Sequence, residues 1–295
     1  MASVKKKIVD GRTYYYLEQT IRTEGTVQTE EKYLGTKIPP NVEEIKKQFL
    51  SEIYKKKWHP ILDRIRENHS REQKKTPATA LKKEARSFSV RFTYDTNRIE
   101  GSTLTLRETS DLLERGITPK SRPLDDIKET EAHEKLFYEM LGFKKNLSLQ
   151  AVLYWHKRLF EGTKPDIAGK IRTHQVAISG SKFMPPAPVE VPVLLREFFR
   201  WYEKNNEKLH PVELAALAHL KFVTIHPFSD GNGRMSRLLM NFVLNKHGFP
   251  LLNIPYEKRN SYYRALERSQ TSGNEWVFVQ WFFRRYVKEY KDYAK

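Results

Sequence analysis

The 295-residue chain carries 53 Lys and Arg against 36 Asp and Glu, a formal net charge of +17, with 39% hydrophobic residues and no cysteine. That length suits one large domain, or a main domain with a small companion. The lack of cysteine excludes disulfides, thiolate-bound zinc and thiol catalysis, and no apolar run approaches the roughly 20 residues a membrane span requires. The positive balance favours phosphate-rich partners, nucleic acid first among them, although Lys and Glu interleave as on ordinary solvated helix faces. Residues 1–10 hold Lys5, Lys6 and Lys7 with no apolar stretch behind them, so no signal peptide is expected and the chain reads as cytoplasmic.

β-prone runs at Ile8-Val9, residues 14–17 and Tyr33-Leu34 are separated by Asp10-Gly11 and by Glu24-Gly25. Two turns of that chemistry predict a small three-stranded β-meander over residues 1–40, closed by Pro39-Pro40. Aromatics beside Lys and Arg can form a stacking platform for nucleic acid. Tyr14, Tyr15 and Tyr16 are consecutive, however, and alternate faces, so at least one packs inward. A docking or dimerisation role is at least as good a reading, and nucleic acid is not favoured. From Val42 to Glu67 the pattern is helical, with Ile45, Phe49, Ile53 and Ile61 among charged residues. Trp58-His59-Pro60 is expected to interrupt it, and residues 68–79 read as an exposed connection. Residues 41–79 therefore form a helical linker, and residues 80–295 the main, mainly α-helical domain.

Punctuation in the main domain is clear. Thr105 with Glu108 makes a capping box, and the helix it starts ends at Arg115-Gly116. Ser148 caps a second helix carrying Val152, Trp155 and Leu159. His156, like His219 further on, lies within an apolar helical pattern and reads as structural. Residues 176–192 alternate around a glycine turn, which predicts a short hairpin followed by the extended, proline-rich approach of Pro185, Pro186, Pro188 and Pro192.

Residues 226–237 read His-Pro-Phe-Ser-Asp-Gly-Asn-Gly-Arg-Met-Ser-Arg. Pro211 starts the apolar helix before them, and Met235, Leu238, Leu239, Phe242 and Val243 mark the buried face of the helix after them. The glycines fall at a helix N-terminus, where orphan amides and the helix dipole make an anion site. Gly231 and Gly233 allow a phosphate close to the backbone, and Asn232 tolerates a strained turn. Asp230 is a hard oxygen ligand suited to Mg²⁺. Arg234 and Arg237, three apart, can face one phosphate chain. His226 titrates near neutrality and can act as a general base. Each feature alone has an ordinary structural explanation, but twelve contiguous residues filling every role describe phosphoryl-type transfer.

This stretch resembles the active-site signature of Fic proteins, His-Pro-Phe-x-(Asp/Glu)-Gly-Asn-Gly-Arg-x-x-Arg, at every defining position. The resemblance implies a helical Fic bundle with a β-hairpin flap and transfer of AMP from Mg-ATP to a Ser, Thr or Tyr hydroxyl of a target protein. It implies that His226 is the base and that Asp230 positions Mg²⁺. Gly231, Asn232 and Gly233 then hold the phosphates with Arg234, and Arg237 reaches towards the γ-phosphate. Residues 168–172 and 176–188 look like the family's flap, in which Val176, Ala177 and Ile178 align the target by strand pairing. Tyr263, and Gln270 with less support, are similar to residues beside the nucleoside. Residues 96–101, Thr-Asn-Arg-Ile-Glu-Gly, match the family's inhibitory pattern, with an inhibitory helix at about 85–101. Glu100 then takes Arg237 away from the γ-phosphate. Two rivals stay open: removal of AMP at the same site, and a nucleic-acid-binding regulator using the N-terminal module. Target and oligomeric state, including a homodimer, are likewise open.

Overall fold

A computed structural model describes residues 2–23 and 26–295. The chain divides into two compact units, one reaching Arg64 and joined by Lys295, the other comprising Ile65–Ala294.

The first unit opens with an antiparallel meander, β1 (Ser3–Val9), β2 (Arg12–Thr23) and β3 (Thr26–Gly35). Val9 pairs with Arg12 across a two-residue turn in which Asp10 and Gly11 both have positive φ, 50° and 74°, as a type I′ turn requires. The second expected turn, Glu24-Gly25, lies outside the described residues. Leu17 is the inward face of β2, packing with Ala2, Phe49 and Ile53. On the other face Tyr16 and Tyr33 pair across strands with ring centroids 5.2 Å apart. The Lys7 ammonium lies 4.8 Å from the Tyr16 ring centre and 2.7 Å from Glu31. Alternation therefore sends Leu17 inward and leaves Tyr14 and Tyr16 on the opposite face.

One expectation is corrected here. Helix α1 runs unbroken over Val42–Lys75, with Pro60 inside it, so neither Pro60 nor residues 68–75 end it. Proline removes one hydrogen bond. Buried Trp58, Leu62 and Ile65 hold the helix on either side. The unit boundary consequently falls within α1, not in a loop after it.

The second unit is helical: α2 (Ala78–Ile99), α3 (Leu106–Arg115), α4 (Leu124–Gly142), α5 (Leu149–Phe160), α6 (Val191–Asn205), α7 (Pro211–Ile225), α8 (Asn232–Lys246), α9 (Arg259–Ser272) and α10 (Glu275–Glu289). Helices α7 and α8 form the central pair. Both are buried on nearly every side: α7 is apolar around most of its circumference, whereas α8 also buries Asn232, Arg234, Ser236, Arg237 and Asn241. Caps fall where local chemistry demands them. Thr105 and Glu108 close a capping box, Gly116 ends α3 in the left-handed region, and the Ser148 hydroxyl accepts the Ala151 amide. Among the described residues no helix is long and apolar enough to cross a membrane.

Three histidines are built into this unit uncharged. Burial pushes His133 on α4 down to about 3 and His156 on α5 to about 4, and takes His219 on α7 well below its usual range. The unfolded chain would protonate all three near pH 6.5, so between that value and about 4 unfolding takes up protons. Stability is therefore complete above pH 6.5 and falls as pH drops, by about 1.4 kcal/mol per histidine for each pH unit inside the window. Unfolding followed calorimetrically from pH 7.5 to 4.5 should show this descent with an uptake approaching three protons; a flat profile would mean that the rings are accessible.

Candidate active site

The loop between α7 and α8 is held by contacts that converge on it from four directions. His226 caps α7 in the left-handed conformation, φ 52°, unusual for a residue with a side chain. Phe228 is buried under the loop, stacked on the His156 ring at 3.7 Å. His156 accepts the Gly169 amide at Nδ1 (2.9 Å), so its Nε2–H is the donor to the Asp230 carbonyl at 3.0 Å. Asn232 does not adopt the strained turn expected of it. It is the first helical residue of α8, and its side-chain amide spans the loop, accepting the Phe228 N–H at 2.9 Å and donating to the Phe228 carbonyl at 2.8 Å. The strained position falls instead on His226.

The two glycines are required for different reasons. Gly231 has φ +78°, and a Cβ there would also overlap the Phe160 ring. Gly233 has helical backbone, and a Cβ there would collide with Oε1 of Glu100. The carboxylate of Glu100 thus sits in the space that glycine leaves open at the N-terminus of α8, where the helix dipole favours negative charge.

Glu100 reaches that point from the C-terminal cap of α2. Arg237, about 1% exposed, donates Nη2–H to Glu100 at 2.6 Å and to the Thr96 carbonyl at 3.1 Å. Its Nε–H bonds the Thr96 hydroxyl at 2.6 Å. Burial works against the guanidinium's charge, yet Glu100 and Tyr262 beside it leave its pKa raised. The Tyr262 hydroxyl, 3.5 Å from Arg237 Nη1, is itself the donor to Nε2 of His219 at 2.9 Å, and burial pushes that phenol up to about 12.

A second ionic group surrounds Asp230. Arg234 bonds Glu129 on α4 and lies 3.5 Å from Asp230, while Lys164 reaches Asp230 at 2.7 Å and Glu129 at 3.1 Å. Alternating charges close into a ring of four. Burial raises the Asp230 carboxyl, but Arg234 and Lys164 more than offset it, and the net effect keeps it ionised. Among the described residues no cluster of three His, Asp or Glu is preassembled for a metal. Asp230 could hold a Mg²⁺, an ion that commonly binds through only one or two carboxylates and keeps several waters.

These residues open onto two adjoining hollows. One, about 310 Å³, is lined by Glu100, His226, Gly233, Arg237, Tyr263 and Gln270, with Ile178 and Ser181 of the flap above. A smaller polar one of about 160 Å³ is lined by Glu100, Asp230, Arg234, Lys164 and Glu129. The Tyr263 hydroxyl donates to the Ile99 carbonyl at 3.0 Å, tying α9 to the end of α2, and Gln270 donates to the Thr224 hydroxyl at 3.1 Å. The flap reverses at a turn in which the Ser181 amide bonds the Ile178 carbonyl. Its two arms form no strand ladder with each other. Gln175 bridges them to the Pro185 carbonyl, and Glu267 on α9 accepts the Lys182 amide at 3.0 Å. Prolines 185, 186 and 188 supply no amide for a ladder. Val176 and Ala177 stand on the first arm, outside both hollows.

His226 is half-buried, and burial lowers its pKa despite the raising effect of the Val223 carbonyl and Glu100. Nδ1 lies 3.2 Å from the Val223 carbonyl. A carbonyl only accepts, so the neutral ring carries its proton on Nδ1 and keeps its lone pair on Nε2.

Fold and site define an α-helical domain organised around one loop at a helix N-terminus. Residues 146–244 match the model of the Fic/DOC family. Over 192 residues it is 36% identical to Protein adenylyltransferase Fic of Drosophila yakuba, covering 64% of this chain and 38% of the relative. The Drosophila melanogaster protein of that name is 35% identical over 192 residues, with 64% and 39% covered. The chain thus spans about two fifths of the length of these curated relatives. Among solved structures, Fic-1 from C. elegans superposes with a TM-score of 0.72 at 27% identity, over 86% of this chain and 77% of that one. A Fic-domain-containing signaling protein from Bacteroides thetaiotaomicron gives 0.69 at 27% identity, over 79% and 96%.

Arg172, Lys164, Glu129 and the clamping role of Asn232 were not singled out from sequence. Replacing Asn232 by Ala should strip partners from two buried backbone groups and destabilise the domain by about 2 kcal/mol or more. Thermal unfolding of the variant measures this directly, and a loss under about 0.5 kcal/mol would show that the loop holds without its clamp.

Proposed function

We propose that the chain is a protein adenylyltransferase that moves AMP from ATP to a Ser, Thr or Tyr hydroxyl of a target protein and is restrained by its own Glu100. One observation carries this reading: a histidine with its lone pair on Nε2 shares a hollow with a phosphate-type cradle whose anion position is filled by an internal carboxylate.

The nucleoside lies against Tyr263 and Gln270, and the phosphates run to the amides at the start of α8. Arg234 and Arg237 neutralise their charge. The target's edge pairs with Val176, Ala177 and Ile178 on the flap, an arm that forms no strand ladder with the opposite one. His226 Nε2 takes the hydroxyl proton as that oxygen forms its bond to the α-phosphorus. The bond from phosphorus to the pyrophosphate oxygen breaks, and pyrophosphate leaves with the electron pair. Asp230 would hold the Mg²⁺ whose charge screens the departing phosphates, and Lys164 must then yield Oδ2. While Glu100 occupies Arg237, the γ-phosphate has no cationic seat, so nucleotide binds without its reacting groups in line.

Glu100 and His226 share one hollow, which also favours a second reading, hydrolytic removal of AMP with Glu100 orienting water. Incubating a pre-modified target with the wild-type chain distinguishes the directions: release of free AMP supports hydrolysis, and its absence leaves transfer.

With labelled ATP, Glu100→Gly should raise self-modification by roughly tenfold or more, equivalent to about 1.4 kcal/mol of barrier; an unchanged signal would remove the restraint from the scheme. His226→Ala should abolish transfer yet keep nucleotide affinity by calorimetry within about threefold. Transfer that survives would place the base elsewhere.

A further inference from the structure

The base of the flap holds a cation that the scheme above does not use. Arg172 is 3% exposed and, among the described residues, pairs with no carboxylate. Its guanidinium is the donor to three backbone carbonyls: Nε to His226 at 2.7 Å, Nη1 to His174 at 3.0 Å and Nη2 to Pro186 at 2.6 Å. Its own amide adds a bond to the Pro227 carbonyl at 3.0 Å. These acceptors belong to three segments: the loop after α7, the first flap arm and the second.

A buried charge without an acid is expensive, and burial indeed lowers the Arg172 pKa. An apolar residue of similar volume would fill the space without that cost. What it cannot do is gather carbonyls from three directions. A planar fork does so, and a lysine's single ammonium cannot span all three acceptors. One of them is the carbonyl of His226, the one non-glycine loop residue in left-handed backbone. Such a conformation persists only where its surroundings over-determine it.

We propose that Arg172 is a positioning residue, locking the backbone of His226 to both arms of the flap so that proton acceptor and target-receiving edge keep one register. The inference rests on the reading of His226 as the base and of the flap as the docking edge.

An electrostatic consequence accompanies the geometry. Glu100 at the end of α2 and Asp230 in the loop favour the protonated His226 ring, as does the Val223 carbonyl from α7, whereas Arg172 from the flap base opposes it. Arg237, Tyr262, Tyr263 and Glu267 line the same hollow. Removing the Arg172 charge should therefore raise the pH at which His226 titrates, while a lysine should largely preserve it.

The test uses the full chain and needs no transfer activity. The His226 ring is titrated by NMR, and hydrogen exchange of flap residues 173–187 is followed, in wild type, Arg172→Met and Arg172→Lys. In Arg172→Met the ring should titrate higher by roughly half a pH unit, and the protected flap amides should exchange about tenfold faster. Arg172→Lys should titrate close to wild type yet show the faster exchange. Should Arg172→Met fail to fold, flap exchange in Arg172→Lys decides alone. Flap protection at the wild-type level in Arg172→Lys would reduce Arg172 to packing, as would a Met variant in which neither measurement moves. Transfer surviving in His226→Ala would overturn the base and leave this structural result standing, so the two failures are distinct.

Discussion

A guanidinium about 1% exposed is costly to leave unpaired, and at Arg237 a carboxylate meets that cost and organises the site. Burying an unpaired ion costs several kcal/mol, so the arginine always needs a partner within reach. On the proposed reading two anions compete for it: the carboxylate that α2 delivers and a phosphate at the start of α8. Glu100 takes the place in the present structure, at 2.6 Å. Thr96 contributes its hydroxyl and its carbonyl to the same guanidinium, so the last turn of α2 is gripped as a unit. Gly233 is the complementary half of that arrangement. It is a glycine for the sake of the space beside it, because its backbone is helical and imposes no preference. A single methyl group there would displace the carboxylate and, on the proposed reading, the phosphate that competes for the same small volume.

Around this point the loop is framed by interactions that leave little freedom. Asn232 closes it on itself, Phe228 and His156 fix its floor, and Arg172 joins it to the flap. All three devices use neutral or hydrogen-bonded partners rather than exposed ion pairs, which contribute little in water. The ionic ring of Arg234, Glu129, Lys164 and Asp230 differs in kind. It is net neutral, and two of its side chains, Lys164 and Asp230, are more than a third exposed, so solvent and ligands reach it. A rigid, desolvated frame beside a partly wet ionic ring separates what must stay still from what must exchange partners.

The parts of this arrangement that were legible in sequence are those carried by contiguous residues or local helix chemistry. The His226-to-Arg237 stretch, the Thr105 box, the Ser148 cap and the Pro211 start each depend on spacings of a few positions. Glu100 could be connected with Arg237, 137 residues away, only through the motif's family resemblance. Where no motif crosses the gap, sequence was silent: Lys164 meets Asp230 from 66 positions away, and Arg234 meets Glu129 from 105. Local rules also misled where tertiary packing was stronger. Pro60 reads as a break but is carried by a long helix anchored on both sides. The flap alternates like a hairpin, yet its prolines deprive one arm of amides. Asn232 has the composition of a turn residue, but its side chain is engaged as a two-sided clamp and the positive φ passes to His226.

The strength of the Glu100 contact bears on what could ever release it. Removing one partner from a buried ion pair typically costs about 3–5 kcal/mol, whereas exchanging one anion for another costs only the difference between them. Loss of Glu100 without replacement is therefore strongly disfavoured, and exchange with a phosphate is not. A nucleotide acting through Arg237 alone would still have to dislodge Thr96 and the Tyr263 hydroxyl that holds the Ile99 carbonyl. Those neutral contacts give a phosphate no advantage, because they retain the end of α2 whichever anion faces Arg237. On the proposed reading, ATP can then compete for the guanidinium without freeing the helix. On the same reading, release would come from whatever draws the last turn of α2 away as a unit, which would make occupancy of the nucleotide site separable from activity.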